Sequence, residues 1–360
     1  VDGKHHFYGG VNIEAVGGGS GLVEAEIRRA LQIGCEIRYD TAATRLIQDE
    51  NKKITGLEIS SPDGIETINA RSIVLACGGF ESNPEMRARY LGPGWDLARV
   101  RGTKHNMGDG IKMAIDVGAR AYGNWSGCHS VGWDISAPEY GDYEVLDNFQ
   151  KHSYPWGIMV NTDGNRFVDE GEDLRNHTYV KFGREIMKQP NRTAIQIFDQ
   201  KTIPLLRDEY RIRQVTKVSG NSIAELAQEL EINVSALTKT IDEFNAACKP
   251  GNFNPSILDG VATTGLNPNK TNWALPIDEP PFEAFITTTG VTFTFGGLKV
   301  DDKGSVLDNN DRSISGLFAA GELVGGLFYE NYPGGSGLMA GAVYGKIAGE
   351  NAASHAVGNS

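Results

Sequence analysis

Several kinds of segment are missing from this sequence, and each absence excludes a class of protein. It contains no uninterrupted apolar run of 18 residues, so it predicts no membrane span. Positive charge is scarce, because 34 Lys and Arg stand against 46 Asp and Glu and give a formal net charge of −12. An acidic chain without basic runs is a poor ligand for nucleic acid or for an anionic membrane surface. We therefore expect neither as a partner.

Cysteine is also rare. The four cysteines are Cys35, Cys77, Cys128 and Cys248, and they form no C-x-x-C pair and no metal-ligand spacing. This usage predicts reduced thiols in a cytoplasmic protein and no metal site. The chain opens VDGKHHFYGG, with neither an initiating Met nor a signal-like segment, so it resembles the middle of a longer protein.

The length and periodicity predict a two-domain α/β protein. The chain has 360 residues, of which 40% are hydrophobic, too many for one simple core. Apolar spacing predicts a helix at 22–33, a hairpin of strands at 44–48 and 54–59, and a buried strand at 73–76. A glycine turn at 106–110 predicts a further helix start. Two amphipathic helices are expected in SIAELAQELEI and VSALTKTIDEFNAAC, the first with a capping box.

Two glycine-rich turns are candidates for a cofactor site. The stretch VGGGSG at 16–21 does not fit G-x-G-x-x-G, because the last glycine position falls on Leu22. It predicts a loop–helix turn near a cofactor, with the pyrophosphate cradle as the alternative. Glu322 in LFAAGELVGG follows a strand and a glycine, which suits ribose or ribityl hydroxyls. YPGGSGL then opens a helix whose N–H groups would stabilise negative charge, although an ordinary glycine turn is the simpler alternative.

Six motifs in a fixed order carry a resemblance that covers essentially the whole chain. They are IVLACGGF, GDG, NTDGNRFVDE, FGGLKVD, GLFAAGELVGG and NYPGGSGLMAGAVYGKIAG. In this order the sequence resembles the FAD-dependent fumarate reductase/succinate dehydrogenase flavoprotein superfamily. NYPGGSGL and GEDLRNHTY look most like the tricarballylate dehydrogenase branch, with some likeness to 3-ketosteroid dehydrogenases.

The resemblance implies an FAD-binding Rossmann-like domain with an inserted α+β capping domain. The first would comprise 1–120 and 286–360, and the second 121–285. It also implies that the N-terminal dinucleotide-binding unit is missing, because the family's G-x-G-x-x-G lies upstream of a segment like VGGGSG. The residues implied to bind FAD are Ala43, Ala76, Gly78, Gly79, Asp109, Gly321, Glu322, Gly335, Ser336 and Leu338.

The resemblance further implies hydride transfer at flavin N5, with a protein group handling a proton on the neighbouring carbon. Arg175 matches the family's proton-transfer arginine with one extra intervening residue, and His177 or Tyr179 would assist it. The residues implied to hold substrate carboxylates are His129, Arg101 and Lys104. Tyr332 is expected to transfer a proton, to donate its hydroxyl to substrate, or to pack on the flavin edge.

Two departures from the family pattern bear on the substrate. Fumarate reductases carry a histidine and an arginine where this sequence has Phe293 and Tyr332, so we do not expect fumarate reduction. We expect dehydrogenation of a CH–CH bond in a tricarballylate-like polycarboxylate, with an electron-acceptor protein as a candidate partner. One alternative is a 3-ketosteroid dehydrogenase-like enzyme, against which the basic residues at 99–105 argue. The other is an inactive fragment that lacks the FAD phosphate cradle.

Overall fold

The computed structural model describes residues 15–358. The α-helices in chain order are α1 (Gly18–Gln32), α2 (Pro84–Met86), α3 (Asp109–Asp116), α4 (Arg175–Met187), α5 (Ile223–Glu229), α6 (Val234–Ala247) and α7 (Ser336–Ala356). The strands are β1 (Ala42–Gln48), β2 (Ile54–Ser61), β3 (Gly64–Asn69), β4 (Ile73–Leu75), β5 (Arg99–Val100), β6 (Ala121–Tyr122), β7 (Cys128–Asp134), β8 (Ile158–Asn161), β9 (Ala194–Phe198), β10 (Lys217–Gly220), β11 (Phe282–Thr294), β12 (Gly297–Leu298), β13 (Ser305–Leu307) and β14 (Ser313–Ala319). The predicted mixed α/β class is confirmed.

The glycine loop at 16–21 leads directly into α1, as predicted. Gly17 and Gly18 have φ values of +81° and +63°, a conformation that glycine adopts at little cost. The helix therefore begins four residues earlier than its apolar spacing indicates. None of its residues is buried by the part of the chain that the structure describes, and Leu31 is 57% exposed. The amphipathic pattern therefore predicts the helix correctly but does not indicate which surface its apolar stripe contacts.

Strands β1, β2 and β3 form an antiparallel sheet in sequence order. The predicted β1–β2 hairpin is confirmed, and its turn is closed by the Asp49 carboxylate, which accepts from Asn51 N at 2.9 Å and Lys53 N at 3.0 Å. The third strand follows a second tight turn at Gly64, whose φ is +121°. Its sequence, GIETIN, is largely exposed and carries too weak an apolar alternation to predict a strand.

The parallel pair β4–β14 sets the position of the first half of the site. β13 joins β14 on its other side in antiparallel pairing. Leu75 and Leu317 pack in one core with Ile111 of α3. Ala320 N donates to Leu75 O at 3.0 Å just beyond the paired strands. The loops after β4 and β14 therefore leave the sheet side by side, which is where ligands bind in open α/β sheets.

A second, six-stranded sheet is centred on β11 and supports the other half of the site. β11 pairs with β5, β7, β9 and β10, and β8 pairs with β9. Helix α4 packs against β7 so closely that a Cβ at Gly183 would lie 2.3 Å from the carbonyl carbon of Ser130. β11 runs without a break through the predicted domain boundary at 285/286. The division into 1–120 with 286–360 and 121–285 stays a prediction.

The two amphipathic helices predicted in the middle of the chain are confirmed as α5 and α6. Ser222 Oγ accepts from Glu225 N at 3.1 Å, and Glu225 Oε2 accepts from Asn221 N at 2.7 Å. These two reciprocal bonds cap the N-terminus of α5. On α6, Leu237, Ile241 and Phe244 are buried on one face. All four cysteines are unpaired thiols. Within residues 15–358, no helix combines the length and apolar character that a membrane crossing requires.

Candidate active site

The loop after β4 and the loop after β14 interlock through Gly79 and Glu322. Glu322 Oε1 accepts from Thr294 N at 2.7 Å and from Thr294 Oγ1 at 3.1 Å. A Cβ on Gly79 would lie 2.1 Å from Thr294 Oγ1 and 2.2 Å from Glu322 Oε1. Any larger residue at 79 would therefore displace the carboxylate. This close approach explains why a glycine follows the strand at this position.

A buried carboxyl group, that of Glu81, lies beside the half-buried Glu322. Glu81 is 2% exposed; its Oε1 accepts from Asn106 Nδ2, and its Oε2 is buried with no hydrogen-bond partner among the described residues. Burial, followed by the neighbouring Glu81, raises the pKa of Glu322 well above its usual range, and burial raises the pKa of Glu81. These surroundings therefore favour the protonated, neutral form of the pair. A protonated carboxyl both donates and accepts, which suits a ligand rich in hydroxyl groups.

The floor beneath this pair is held by a buried arginine, Arg87, which is 1% exposed. Its guanidinium donates to Trp95 O at 2.8 Å, Asp96 O at 2.8 Å and Ala98 O at 3.3 Å, and also to Glu81 O. Carbonyl oxygens thus satisfy the charge in place of a carboxylate. The arrangement fixes the segment 81–98 beneath the carboxyl pair.

The turn before α7 is tied to α4 by polar contacts. Tyr332 Oη accepts from Gly337 N at 2.9 Å, at the start of α7. Asn331 Nδ2 donates to His177 O at 2.7 Å, so the turn and α4 are joined through a backbone carbonyl. A Cβ at Gly334 would lie 3.8 Å from Tyr179 Oη. The glycine turn therefore faces the first turns of α4.

Four aromatic side chains form a continuous ring ladder across this junction: Tyr332, His129, Tyr179 and His152. Successive ring centroids lie 4.7, 5.1 and 5.2 Å apart, each pair in edge-to-face geometry. His129 Nδ1 and both ring nitrogens of His152 are buried without a hydrogen-bond partner among the described residues. Such unpaired buried nitrogens are rare in folded proteins, and a bound ligand or water molecule would satisfy them.

The ladder is uncharged at neutral pH. Burial lowers the pKa of His129 and of His152 well below the usual range, helped by Arg101 for the first and Arg175 for the second. Burial and then Tyr332 raise the pKa of Tyr179 to about 12. Burial likewise raises the pKa of Tyr332. The two phenols therefore hold their protons and can donate them.

Arg175 supplies a cation at one side of the ladder. It is the first residue of α4, and its guanidinium carbon lies 5.6 Å from the centre of the Tyr179 ring. Within the described part of the chain, the structure shows no hydrogen bond or ion pair from this guanidinium. Burial, followed by Arg207, lowers its pKa. A half-buried cation with no counter-ion among the described residues suits an anionic group.

An apolar wall closes the opposite side. Phe293 and Phe328 pack against Tyr332, with ring centroids 5.7 and 4.7 Å away, and Phe328 also contacts Phe295. Phe293 occupies the place at which the resemblance leads one to expect a histidine. The wall therefore offers contact area to a ring or an alkyl chain instead of a charge.

The family described as "FAD binding domain" matches residues 4–338. The chain belongs to this FAD-binding family. It is 29% identical to a probable fumarate reductase of Shewanella frigidimarina, over 99% of this chain and 56% of that protein. The open conformation of a flavocytochrome c3 fumarate reductase matches with a TM-score of 0.74 and 27% identity, over 96% of this chain and 57% of that one. A 3-ketosteroid Δ1-dehydrogenase from Sterolibacterium denitrificans, in complex with 1,4-androstadiene-3,17-dione, matches with a TM-score of 0.69 and 25% identity, over 90% and 61%. The chain thus spans about half the length of the first relative.

FAD is the cofactor that the family indicates, and open space beside several of the predicted cofactor residues fits it. A cavity of about 960 Å³ is lined in part by Ala43, Cys77 and Asp109. A Cβ at Gly321 or Gly335 would meet no atom within 4 Å, so ligand atoms have room to approach both. The remaining predicted cofactor residues, which lie on the loops after β4 and β14 or at the start of α7, are Ala76, Gly78, Gly79, Glu322, Ser336 and Leu338. Glu322 and the α7 N-terminus would hold the hydroxyl-bearing and anionic portions.

Three of the predicted catalytic and substrate-binding residues either are already paired or lie outside the ring ladder. Arg101 is paired through both Nε and Nη2 with Asp147, the second contact at 2.6 Å, so its charge is already compensated. Lys104 is exposed and lines a separate cavity of about 600 Å³. His177 is exposed, and its Nδ1 lies 3.2 Å from Asp173 Oδ2. Helical spacing separates it from Arg175, because residues two apart point to opposite sides of a helix.

His152 is the member of the ladder that sequence reasoning missed. It lies in FQKHSYP, a loop without a motif, and it reaches Tyr179 through folding of distant segments. Arg175 and Tyr179, by contrast, are four residues apart on one helix and share a face, a relation that the sequence does contain. Together with His129 and Tyr332, these side chains form a compact candidate site.

Proposed function

We propose that this protein is an FAD-dependent oxidoreductase acting on a carbon–carbon bond beside a single carboxylate or carbonyl group. The observation that carries the proposal is the uncompensated Arg175 guanidinium next to the ring ladder and the phenylalanine wall. One cation and an extended apolar surface suit a substrate with one polar end and an aromatic or alkyl body. The similarity to a probable fumarate reductase and to a ketosteroid dehydrogenase supports redox chemistry at such a bond.

The protein's own groups bind the substrate and handle its proton. FAD, when bound, supplies hydride chemistry at N5. Arg175 pairs with the substrate's carboxylate or carbonyl oxygen and polarises the bond. Tyr332 Oη already accepts from Gly337 N, so its own hydrogen is available to a substrate oxygen. Tyr179 donates a proton to the neighbouring carbon.

The protonation of these groups favours reduction of a carbon–carbon double bond. With a pKa of about 12, Tyr179 is protonated at neutral pH and would give its proton only to a strongly basic carbon, such as the one that hydride addition creates beside a carbonyl or carboxylate group. Dehydrogenation, the direction predicted from the sequence, would require a group that accepts a proton readily. Burial lowers the pKa of His129, which lies between Tyr332 and Tyr179, well below its usual range, so this histidine is a weak proton acceptor.

A tricarballylate-like polycarboxylate is the second candidate substrate. It would need several free cations, and Arg101 is occupied by Asp147. The observation that favours it is a cavity of about 650 Å³ lined by Arg175, Arg207 and Arg211 together with acidic residues. Arg207 is already paired with Glu209 at 2.6 Å, so we rank the single-carboxylate substrate first.

The two substrates are distinguished by steady-state assays on purified protein reconstituted with FAD. A reduced viologen dye would serve as electron donor, with cinnamate, cis-aconitate and a 4-ene-3-ketosteroid as acceptors. We expect cinnamate to be reduced faster than aconitate. Turnover of aconitate alone would instead support the polycarboxylate interpretation. Protein that takes up no FAD would support the non-catalytic alternative.

The role of Arg175 is tested by the variants Arg175→Lys and Arg175→Gln. We expect Gln to lower kcat/KM for the carboxylate substrate by about 10²- to 10³-fold, in the range of one lost charge-assisted contact plus proton-transfer assistance. Lys should recover part of this loss, because it keeps the charge but not the planar fork. A Gln variant that keeps the kcat/KM of the wild type for the carboxylate substrate would contradict this role of Arg175.

A further inference from the structure

The solvent side of the ring ladder ends at His152. This side chain is 2% exposed, and it lies between the Tyr179 ring and the cavity of about 650 Å³ described above. Both of its ring nitrogens are buried without hydrogen-bond partners among the described residues. A phenylalanine would fill this place without removing polar nitrogens from water. The imidazole therefore needs a reason beyond packing.

The position of His152 suggests that reason. Arg175 lines the same cavity and also lies over the Tyr179 ring, so cavity, His152 and Tyr179 meet at one point. Tyr179 in turn contacts His129, which contacts Tyr332 at the α7 turn. Every proton that Tyr179 gives to a substrate must be replaced from solvent. The cavity is lined by His152 and Arg175, both of which contact the Tyr179 ring, and so offers a route for that water.

We propose that His152 is a positioning residue that passes protons between the cavity and Tyr179. This inference rests on the proposed function, since it concerns the proton donor of that reaction. It names a role for a residue that otherwise has no place in the chemistry. In this proposal, the cavity lined by Arg175 and Arg207 holds the water that supplies those protons.

The transfer balances without an additional reactant. When hydride has reached one carbon of the substrate, the Tyr179 O–H bond breaks and a C–H bond forms on the neighbouring carbon. One ring nitrogen of His152 then gives its proton to the phenolate, while the other takes a proton from cavity water. The ring ends as the opposite neutral tautomer and returns by rotation or by a second exchange with water. A small ring movement or a bridging water completes the contact, as is common where a ligand is absent.

The surroundings keep His152 neutral during this exchange. Burial and then the charge of Arg175 lower its pKa well below the usual range, so the ring carries protons without storing one. The other charged or titratable groups that face it from the packed elements and the cavity are Arg101, Arg207, Arg211, His129, Tyr179, Asp147, Asp208 and Glu209. The cations dominate near the ring, which opposes protonation.

The first test uses His152→Phe, which keeps a ring against Tyr179, and His152→Ala, which leaves space for a small base. In the FAD-loaded protein we expect kcat to fall about 10²-fold with KM changed less than about twofold, because proton transfer is lost while Arg175 stays. Added imidazole should restore activity to the alanine variant and not to the phenylalanine variant. Leu205→Ala is the matched control, since Leu205 lines the same cavity and carries no titratable group.

Unchanged kcat in both folded His152 variants, or loss without imidazole rescue, would overturn the relay. If the protein turns over no substrate, a measurement that does not require flavin still tests the proposed relay. Hydrogen exchange at the Cε1–H of each histidine, followed by mass spectrometry on the protein without FAD, reports whether water reaches the ring. We expect exchange at His152 within the time that exposed His177 exchanges. A fully protected His152 would refute the entrance, whereas inactive wild-type protein with an exchanging His152 would refute only the proposed function.

Discussion

Replacement of Glu81 by Gln should make the protein more stable at alkaline pH and leave its stability almost unchanged in acid. Buried Glu81 lies beside half-buried Glu322, and both folded-state pKa values are raised above the value of an exposed glutamate. A carboxyl with a raised folded-state pKa stabilises the fold fully below its unfolded pKa. That contribution is lost as the pH rises through the folded pKa. The wild-type pair therefore destabilises the fold progressively from about pH 4.5 upward.

The size of the effect follows from the geometry. The glutamine side chain in the Glu81→Gln variant would keep an oxygen for Asn106 Nδ2, the bond that Glu81 Oε1 now accepts, and its amide would offer a donor towards Glu322. The substitution thus removes one buried acid without leaving Asn106 unpaired. Each pKa unit of mutual repulsion that disappears is worth about 1.4 kcal/mol. We expect a gain of about 1–2 kcal/mol in the free energy of unfolding at pH 8 and close to zero at pH 4.

Urea unfolding curves at pH 4, 6 and 8, without FAD, measure this difference. The matched control is Glu85→Gln, because the Glu85 side chain is 70% exposed and makes only a loose ion pair with Arg89 at 3.7 Å. That control should change stability by less than about 0.5 kcal/mol at every pH. A Glu81→Gln protein that is less stable than wild type at pH 8, or whose difference is independent of pH, would refute the shared-proton interpretation.

Three further predictions concern packing and the site. Gly183→Ala should lower the free energy of unfolding by about 3 kcal/mol, because its Cβ would lie 2.3 Å from Ser130 C and the backbone must shift. Gly345→Ala in the middle of α7 should raise the free energy of unfolding by about 0.5–1 kcal/mol, since the added Cβ meets no atom within 4 Å. Thermal or urea unfolding measures the stability of both glycine variants. Equal effects of the two substitutions would contradict the packing of α4 on β7. Asp147→Asn should free Arg101 to bind a substrate carboxylate. We expect the KM for cis-aconitate to fall about tenfold relative to the KM for cinnamate, because the substrate gains one charge contact. Unchanged selectivity in the dye-linked assay would show that Arg101 does not face the substrate.

Local patterns in the sequence predict those parts of the site that lie on single segments. The loops after β4 and β14 and the turn before α7 are indicated by glycines next to apolar runs. Helices α5 and α6 follow from their stripes and caps because the information lies within a few residues. The spacing along α4 also predicts that Arg175 and Tyr179 share one face of the helix and that His177 lies on the opposite face. That spacing by itself argues against His177 as a partner of Arg175.

Contacts between distant segments lie beyond such reasoning. Arg101 meets Asp147 across 46 residues, and nothing near either residue indicates that the charge is already used. His152 enters the site because β7 and α4 pack together, and its loop carries no periodicity. The stripe on α1 shows the reverse case, in which a correct helix prediction gives no information about burial. Pairing of buried groups is set by tertiary packing, which a single sequence does not display.

The guanidinium of Arg87 makes opening of the segment 81–98 an all-or-none event. It binds carbonyls at both ends of that segment, so release of either end would leave a charge stranded in an apolar interior. Partial fraying is therefore disfavoured, and the amide hydrogens of this stretch are expected to exchange with solvent at one common rate. Arg87 thus holds the backbone that carries Glu81 without a hydrogen bond to either carboxyl group, so a substitution at Arg87 would loosen the support of the acid pair.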